Sequence, residues 1–197
     1  MPNKVKFGLA NVHYAKLNRD ASTGVTSFGE VKAIPGAVNL SLSASGDTNN
    51  FYADNMKYWT GTSNNGYEGD LEVAIIPDEF KTAILGFIQT AEGGILETGD
   101  EKASEFALLY EIDGDKEKRR FVDYCCTATR PTAEASTTED SITPQTDTLS
   151  LTTSPFNYLE SSNGTPKKLS RYYEKPGDSN YNNWFSQVAI PTPVTSA

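Results

Sequence analysis

GDLEVAIIPDEFKTAILGFI, residues 69–88, reads as one strand running directly into one short helix. Leu71, Val73 and Ile75 alternate with Asp70, Glu72 and Ala74, the period of two expected of a half-buried strand. Ile76-Pro77 ends that pattern, because proline lacks a ladder donor and disfavours helical backbone at the residue before it. Pro77 suits the first helical position, and Asp78 and Glu79 set negative charge at the positive end of the helix dipole. Phe80, Ile84 and Phe87 follow at i, i+4 and i+7, so one apolar face can pack on a sheet, with Gly86 as an early stop. No other stretch carries a comparable helical pattern, so the rest of the chain is expected to fold around this unit as strands and loops.

Working outward, Val5, Phe7 and Leu9 alternate ahead of Val12 and Tyr14, an opening strand broken at Ala10-Asn11. Val31 to Leu42 is a second strand region interrupted at Pro35-Gly36, with Val38, Leu40 and Leu42 on one face. Ser43 to Tyr67 is a long polar segment, expected as a loop, and it holds Phe51, Tyr52, Met56, Tyr58, Trp59 and Tyr67. Disordered linkers are poor in aromatics, whereas Tyr, Trp and Met concentrate where proteins meet. The segment is therefore either a contact surface or a loop whose aromatics fold back on their own core. Downstream, Phe106, Leu108, Tyr110 and Ile112 share one strand face, and Val122, Tyr124, Cys126 and Ala128 the matching face of the next. A charged turn at Asp113-Gly114 joins them, and Leu149 and Leu151 close a sandwich. The expected division is a β-sandwich domain over residues 1–155 and an extension or arm over 156–197. The arm is poor in aliphatics and anchored by Trp184-Phe185, docking on the body or on a neighbour.

Composition limits function. The 197 residues suffice for one sizeable core, and the net charge of −9 argues against tight binding of phosphate backbones, which takes clustered Lys and Arg. No apolar run approaches the ~18 residues that span a bilayer, and the first ten residues lack an apolar signal core. Cys125 and Cys126 are neighbours on a strand and point to opposite faces, so a bond between them is strained and reduced thiols are expected. His13, the sole histidine, lacks the local signature of a Cys–His nucleophile. Glu111-Ile112-Asp113-Gly114-Asp115 falls short of calcium-loop spacing because the glycine comes too early. Phosphate-loop, zinc-protease and nucleophile-elbow patterns are absent. The expectation is a non-enzymatic protein without catalytic, cofactor or metal residues.

Several pieces resemble one family. Asn64-Asn65-Gly66-Tyr67-Glu68-Gly69-Asp70-Leu71-Glu72, followed by Ile76-Pro77-Asp78-Glu79-Phe80, is similar to the major tail (tail tube) proteins of long, non-contractile-tailed bacteriophages, the siphophages. Lys6 to Ala15, Ile34 to Val38, Phe51 to Asn55 and Cys126 to Pro131 agree in order, and the resemblance runs from Lys4 to Pro155. It implies a mainly-β sandwich that forms a β-barrel in hexameric rings, with one flanking helix and a long stacking loop. Stacked rings would form a tube that conducts genomic DNA without specific binding. It further implies residence in the virion tail after assembly in the host cytoplasm, and contact with tape measure, tail terminator and distal tail or baseplate proteins. On that resemblance Phe51, Tyr52, Met56, Tyr58, Trp59 and Tyr67 become inter-ring contacts, and Phe80, Ile84 and Phe87 the packing face of the outer helix. Glu105, Glu111, Asp113, Asp115 and Asp123 are candidate acids of the lumen, where like charge would keep DNA centred. The competing readings are a tube protein of type VI secretion kind and a monomeric β-sandwich binding module.

Overall fold

A computed structural model describes residues 7–19, 26–100, 102–133, 137, 144–159 and 166–191. The strands are β1 (Leu9–Arg19), β2 (Thr26–Ala33), β3 (Ala37–Ser45), β4 (Thr48–Ala53), β5 (Met56–Thr62), β6 (Gly66–Val73), β7 (Ile88–Gln89) and β8 (Ile95–Leu96). They continue with β9 (Phe106–Ile112), β10 (Arg120–Ala128), β11 (Asp147–Thr153), β12 (Phe156–Leu159), β13 (Pro166–Leu169) and β14 (Arg171–Glu174). One helix, α1 (Asp78–Ala83), and a single 3-10 turn at Tyr181–Asn183 complete the described elements.

One large antiparallel sheet runs β2-β1-β9-β10-β11-β6-β3, with β14 added to β10. It is not closed into a barrel, so β2 and β3 remain as edges. The sheet folds over on itself because both halves carry an apolar inner face. Val12 and Tyr14 of β1 and Phe106, Leu108 and Tyr110 of β9 meet Leu71 and Val73 of β6 and Leu149 and Leu151 of β11. Helix α1 closes this core: Phe80 and Ile84 are fully buried, and the Phe80 ring meets Tyr14 and Phe106 edge-on, at 4.9 and 5.4 Å between centroids. The helix is shorter than its sequence period suggests. Pro77 keeps extended backbone as the N-cap, Ile84 is the C-cap, and Gly86 turns left-handed (φ 80°), which leaves Phe87 half-buried beyond the end.

A second core lies on the other side of β9 and β10. Leu17, Ala107, Leu109, Val122, Tyr124 and Cys125 are covered by Trp184 and Ala189, with Tyr172, Phe185 and Val188 packed at its margin. This explains the near-continuous apolar run Phe106-Ala107-Leu108-Leu109-Tyr110: β9 is buried on both faces. The C-terminal segment is thus knitted into the body. β14 pairs with Arg120 to Asp123 of β10, Trp184 Nε1 donates to the Phe121 carbonyl (3.3 Å), and the Tyr124 hydroxyl donates to the Ala189 carbonyl.

Two sequence expectations change. The face Val122, Tyr124, Cys126 and Ala128 is split by a bulge between Asp123 and Cys126, where Cys125 sits at φ 52°. One extra residue reverses the alternation, so Val122, Tyr124 and Cys125 enter the second core and Cys126 and Ala128 the first. Both thiols are consequently buried and free, one in each core. The bulge also marks where β10 exchanges partners, from β14 to β11. The second change is at Ser43 to Tyr67, expected as a loop: most of it is a separate two-stranded hairpin, β4–β5.

Candidate assembly surfaces

The β4–β5 hairpin turns at Asp54-Asn55, both left-handed (φ 50° and 61°), the two-residue type I′ geometry that matches strand twist. Phe51 pairs across the strands with Trp59, and a register shift after Phe51 leaves Tyr58 as the extra residue, its ring 6.5 Å from that of Phe51 and edge-on. Trp59 lies over Gly61, whose missing side chain leaves room for the indole. The aromatics do not fold back on the body: Phe51, Tyr52, Met56, Tyr58 and Trp59 are 58–72% exposed. Tyr67 stands apart from them, half-buried in β6 with the Arg171 guanidinium 4.0 Å from its ring centroid.

A second surface is the outer face of β3, β6 and β11. Directly paired residues of antiparallel strands share a face. Asn39, Glu72 and Thr148 therefore form one row, Ser41, Asp70 and Ser150 the next, and Ser43, Glu68 and Thr152 a third. No apolar side chain stands in these rows, and eight of the nine residues are exposed, Glu72 being half-buried. The acids accept hydrogen bonds from hydroxyls: Ser45 to Glu68 (2.9 Å), Ser150 to Asp70 (2.8 Å) and Thr146 to Glu72 (2.6 Å). Among the described residues no Lys or Arg pairs with them, so the face keeps its negative charge.

The acids singled out from the sequence sit differently. Asp123 is 0% exposed and held by Arg171 through two bonds of 2.6 and 2.9 Å, with the Tyr110 hydroxyl on the same carboxylate. Burial pushes its pKa up, and the Arg171 and Tyr110 bonds offset this only in part. Asp115 is 6% exposed and clamped by the Arg119 side chain at 2.6 and 3.0 Å; those bonds, against desolvation, bring its pKa down to about 2. Each carboxylate is thus buried in the subunit and bound to an arginine. Glu111 pairs with Arg120 (3.0 Å) and Glu105 with Arg19 (2.7 Å). Desolvation opposes ionisation of Glu105, but the bonds from Arg19 and Cys125 outweigh it and lower its pKa. Asp113 is exposed at the β9–β10 turn. The acids of β6 were missed as a set although the signal stood in the opening stretch: alternation puts Asp70 and Glu72 opposite Leu71 and Val73.

The groups considered for chemistry are not assembled. His13 stacks on Phe185 (4.6 Å between centroids) and bonds the Asn11 carbonyl through Nδ1 (2.8 Å). Cys125 lies between Arg19 and Glu105, and burial first, then Glu105, pushes its thiol up to about 11. Burial likewise raises Cys126. Such thiols stay protonated and poorly nucleophilic. Among the described residues no His, Cys, Asp and Glu cluster has the geometry of a metal site, and no helix is long and apolar enough to cross a membrane.

Comparison with curated proteins returns no match. The family profile described as phage tail tube protein matches residues 2–179, passing beyond the sandwich and through β14 of the arm. On that match, and with the mainly-β fold in agreement, the chain belongs to the phage tail tube protein family, structural components of the virion tail.

Proposed function

We propose that copies of this chain form six-membered rings that stack into the tail tube, the hairpin β4–β5 reaching the adjacent ring and the outer face of β3, β6 and β11 walling the lumen. The hairpin carries this reading. Five large side chains, four of them aromatic, leave the body more than half exposed, and such apolar patches on soluble chains mark protein contacts. Fully burying each is worth about 1.5–3 kcal/mol, so a hairpin seated on a second copy gains several kcal/mol before ordering costs, repeated around every ring. The free edges β2 and β3 supply the remaining need, since pairing between subunits satisfies backbone groups that an isolated sheet leaves open.

The acidic rows of β6 suit a conduit. Each cation paired to phosphate adds a salt-dependent hold on DNA, whereas unpaired carboxylates repel it over roughly 8–10 Å at physiological salt. Genomic DNA would then pass without specific binding. The same reading places tape measure, tail terminator and distal tail or baseplate proteins as partners, with assembly in the host cytoplasm. The test is electron microscopy of concentrated protein together with a duplex-DNA titration at low salt. Rings or tubes with a central hole and no submicromolar DNA binding are expected. A lumen lined mainly by Lys and Arg, or submicromolar duplex binding, would overturn the proposal.

A further inference from the structure

Arg171 belongs to the C-terminal arm, yet its guanidinium joins two other parts of the fold. It bonds Asp123, at the β10 bulge, through two parallel contacts, and it lies 4.0 Å from the centroid of the Tyr67 ring. Tyr67 is the second residue of β6, directly after the chain returns from the hairpin. The root of the hairpin is closed by backbone bonds between its stems and by the Ser63 hydroxyl, which accepts from Asp47 N–H (3.0 Å). Ser63 N–H donates to the Asp47 carbonyl (2.8 Å), Asn65 N–H to that of Ser45 (2.9 Å), Gly66 N–H to Asn64 Oδ1 (3.0 Å) and Tyr67 N–H to Thr153 Oγ1 (2.9 Å). Gly66, at φ 95°, lies flat on the Thr153 carbonyl with no room for a side chain, and Tyr67 pairs with Ala44 of β3 on one side and Thr153 of β11 on the other, so the root is fixed at its backbone and the guanidinium acts on the ring.

We infer that Arg171 is a positioning residue for the hairpin: the docked arm clamps Tyr67, and with it the direction in which the aromatic hairpin leaves the body. The physical link is a shared guanidinium. Asp123 is buried, so a departing Arg171 would leave an uncompensated interior charge, which pins the cation in place. A cation fixed over an aromatic face is a directional restraint on the ring, and the planar fork of Arg satisfies Asp123 and stacks on Tyr67 at once, which an ammonium cannot do. Coupling of this kind is reciprocal: whatever holds the hairpin also favours the docked arm. Only the consequence for stacking rests on the proposed tube contact; the coupling itself is within one chain.

Hydrogen exchange on unassembled full-length subunits tests it, following residues 63–67 at the root and 170–174 in the arm. Arg171→Lys keeps a charge beside Asp123 but loses the flat stack, so exchange at the root should rise about tenfold while the arm stays protected. Tyr67→Phe keeps the ring and should exchange as wild type, and Tyr67→Leu should loosen the root. The Asp123→Asn, Arg171→Met pair removes both interior charges and separates the roles. If Arg171 serves only as counter-ion, the root of this pair is as protected as in wild type; if it positions Tyr67, the root remains fast. Wild-type root exchange in the pair or in Arg171→Lys overturns the inference. Should Lys itself release the arm, the pair decides. If wild-type subunits never form rings or tubes, that counts against the tube reading and leaves the coupling standing.

Discussion

The chain has two tryptophans, and the structure assigns them opposite consequences. Trp184 is 1% exposed in the second core, tilted against Tyr172 at 5.7 Å and donating to the Phe121 carbonyl. Trp184→Ala removes a large buried ring, at about 3–5 kcal/mol, and leaves that carbonyl without its indole donor for about 1 kcal/mol more. With a urea slope of ~2 kcal/mol/M, a loss of ~5 kcal/mol lowers the unfolding midpoint by ~2.5 M. Trp59, 58% exposed on the hairpin, forfeits its cross-strand pair with Phe51 and its cover of Gly61, about 0.2–1 kcal/mol, so Trp59→Ala should unfold near the wild-type midpoint. The assay is urea denaturation followed by circular dichroism, paired with electron microscopy of each folded variant. Trp184→Ala is expected to lose stability, and Trp59→Ala to remain folded but form few or no tubes. An unchanged midpoint in Trp184→Ala would refute the placement of the arm in the core. A shift in Trp59→Ala as large as that of Trp184→Ala would refute the separation of hairpin from body.

Tyr14 is 2% exposed and its hydroxyl has no hydrogen-bond partner among the described residues, so Tyr14→Phe should be neutral or stabilise by about 1 kcal/mol in the same denaturation assay. Asp115→Asn should cost about 1–2 kcal/mol at pH 7 through weakened bonds to Arg119. Its folded pKa of about 2 lies below the ordinary 3.8, so that stability is present above pH ~4 and lost as pH falls towards 2; parallel melts of variant and wild type should converge over that window. A thiol reagent at pH 8 should label neither Cys125 nor Cys126 until the chain unfolds, because both are buried and protonated, and rapid labelling of native protein would contradict this. Replacing Glu68, Asp70 and Glu72 together by Lys should leave the fold intact, since none is in the core, and create duplex-DNA binding that weakens steeply with salt.

Strand and helix identity were local matters, and the residues settled them. Alternation in Leu71-Glu72-Val73, the break at Ile76-Pro77 and the apolar spacing of Phe80 and Ile84 each act within a few residues, so a mainly-β fold with one short helix was legible. Gly86 as stop was visible too, whereas Pro77, expected at the first helical position, is the N-cap, and the helix ended a turn sooner than its apolar spacing. The hairpin was hidden because its strands carry aromatics and polar residues on both faces; with no buried side there is no period of two to read. Only the tertiary structure decided the rest. Whether an acid is free or consumed depends on what folds beside it: Arg171 meets Asp123 from 48 residues away, and nothing near Asp123 in sequence announces that partner. The bulge at Cys125 reverses facing for the end of β10, and it falls where the strand changes neighbours, a long-range feature of the sheet. The arm is core because Trp184 finds an apolar face already present on β9 and β10, a match between surfaces that no local pattern encodes.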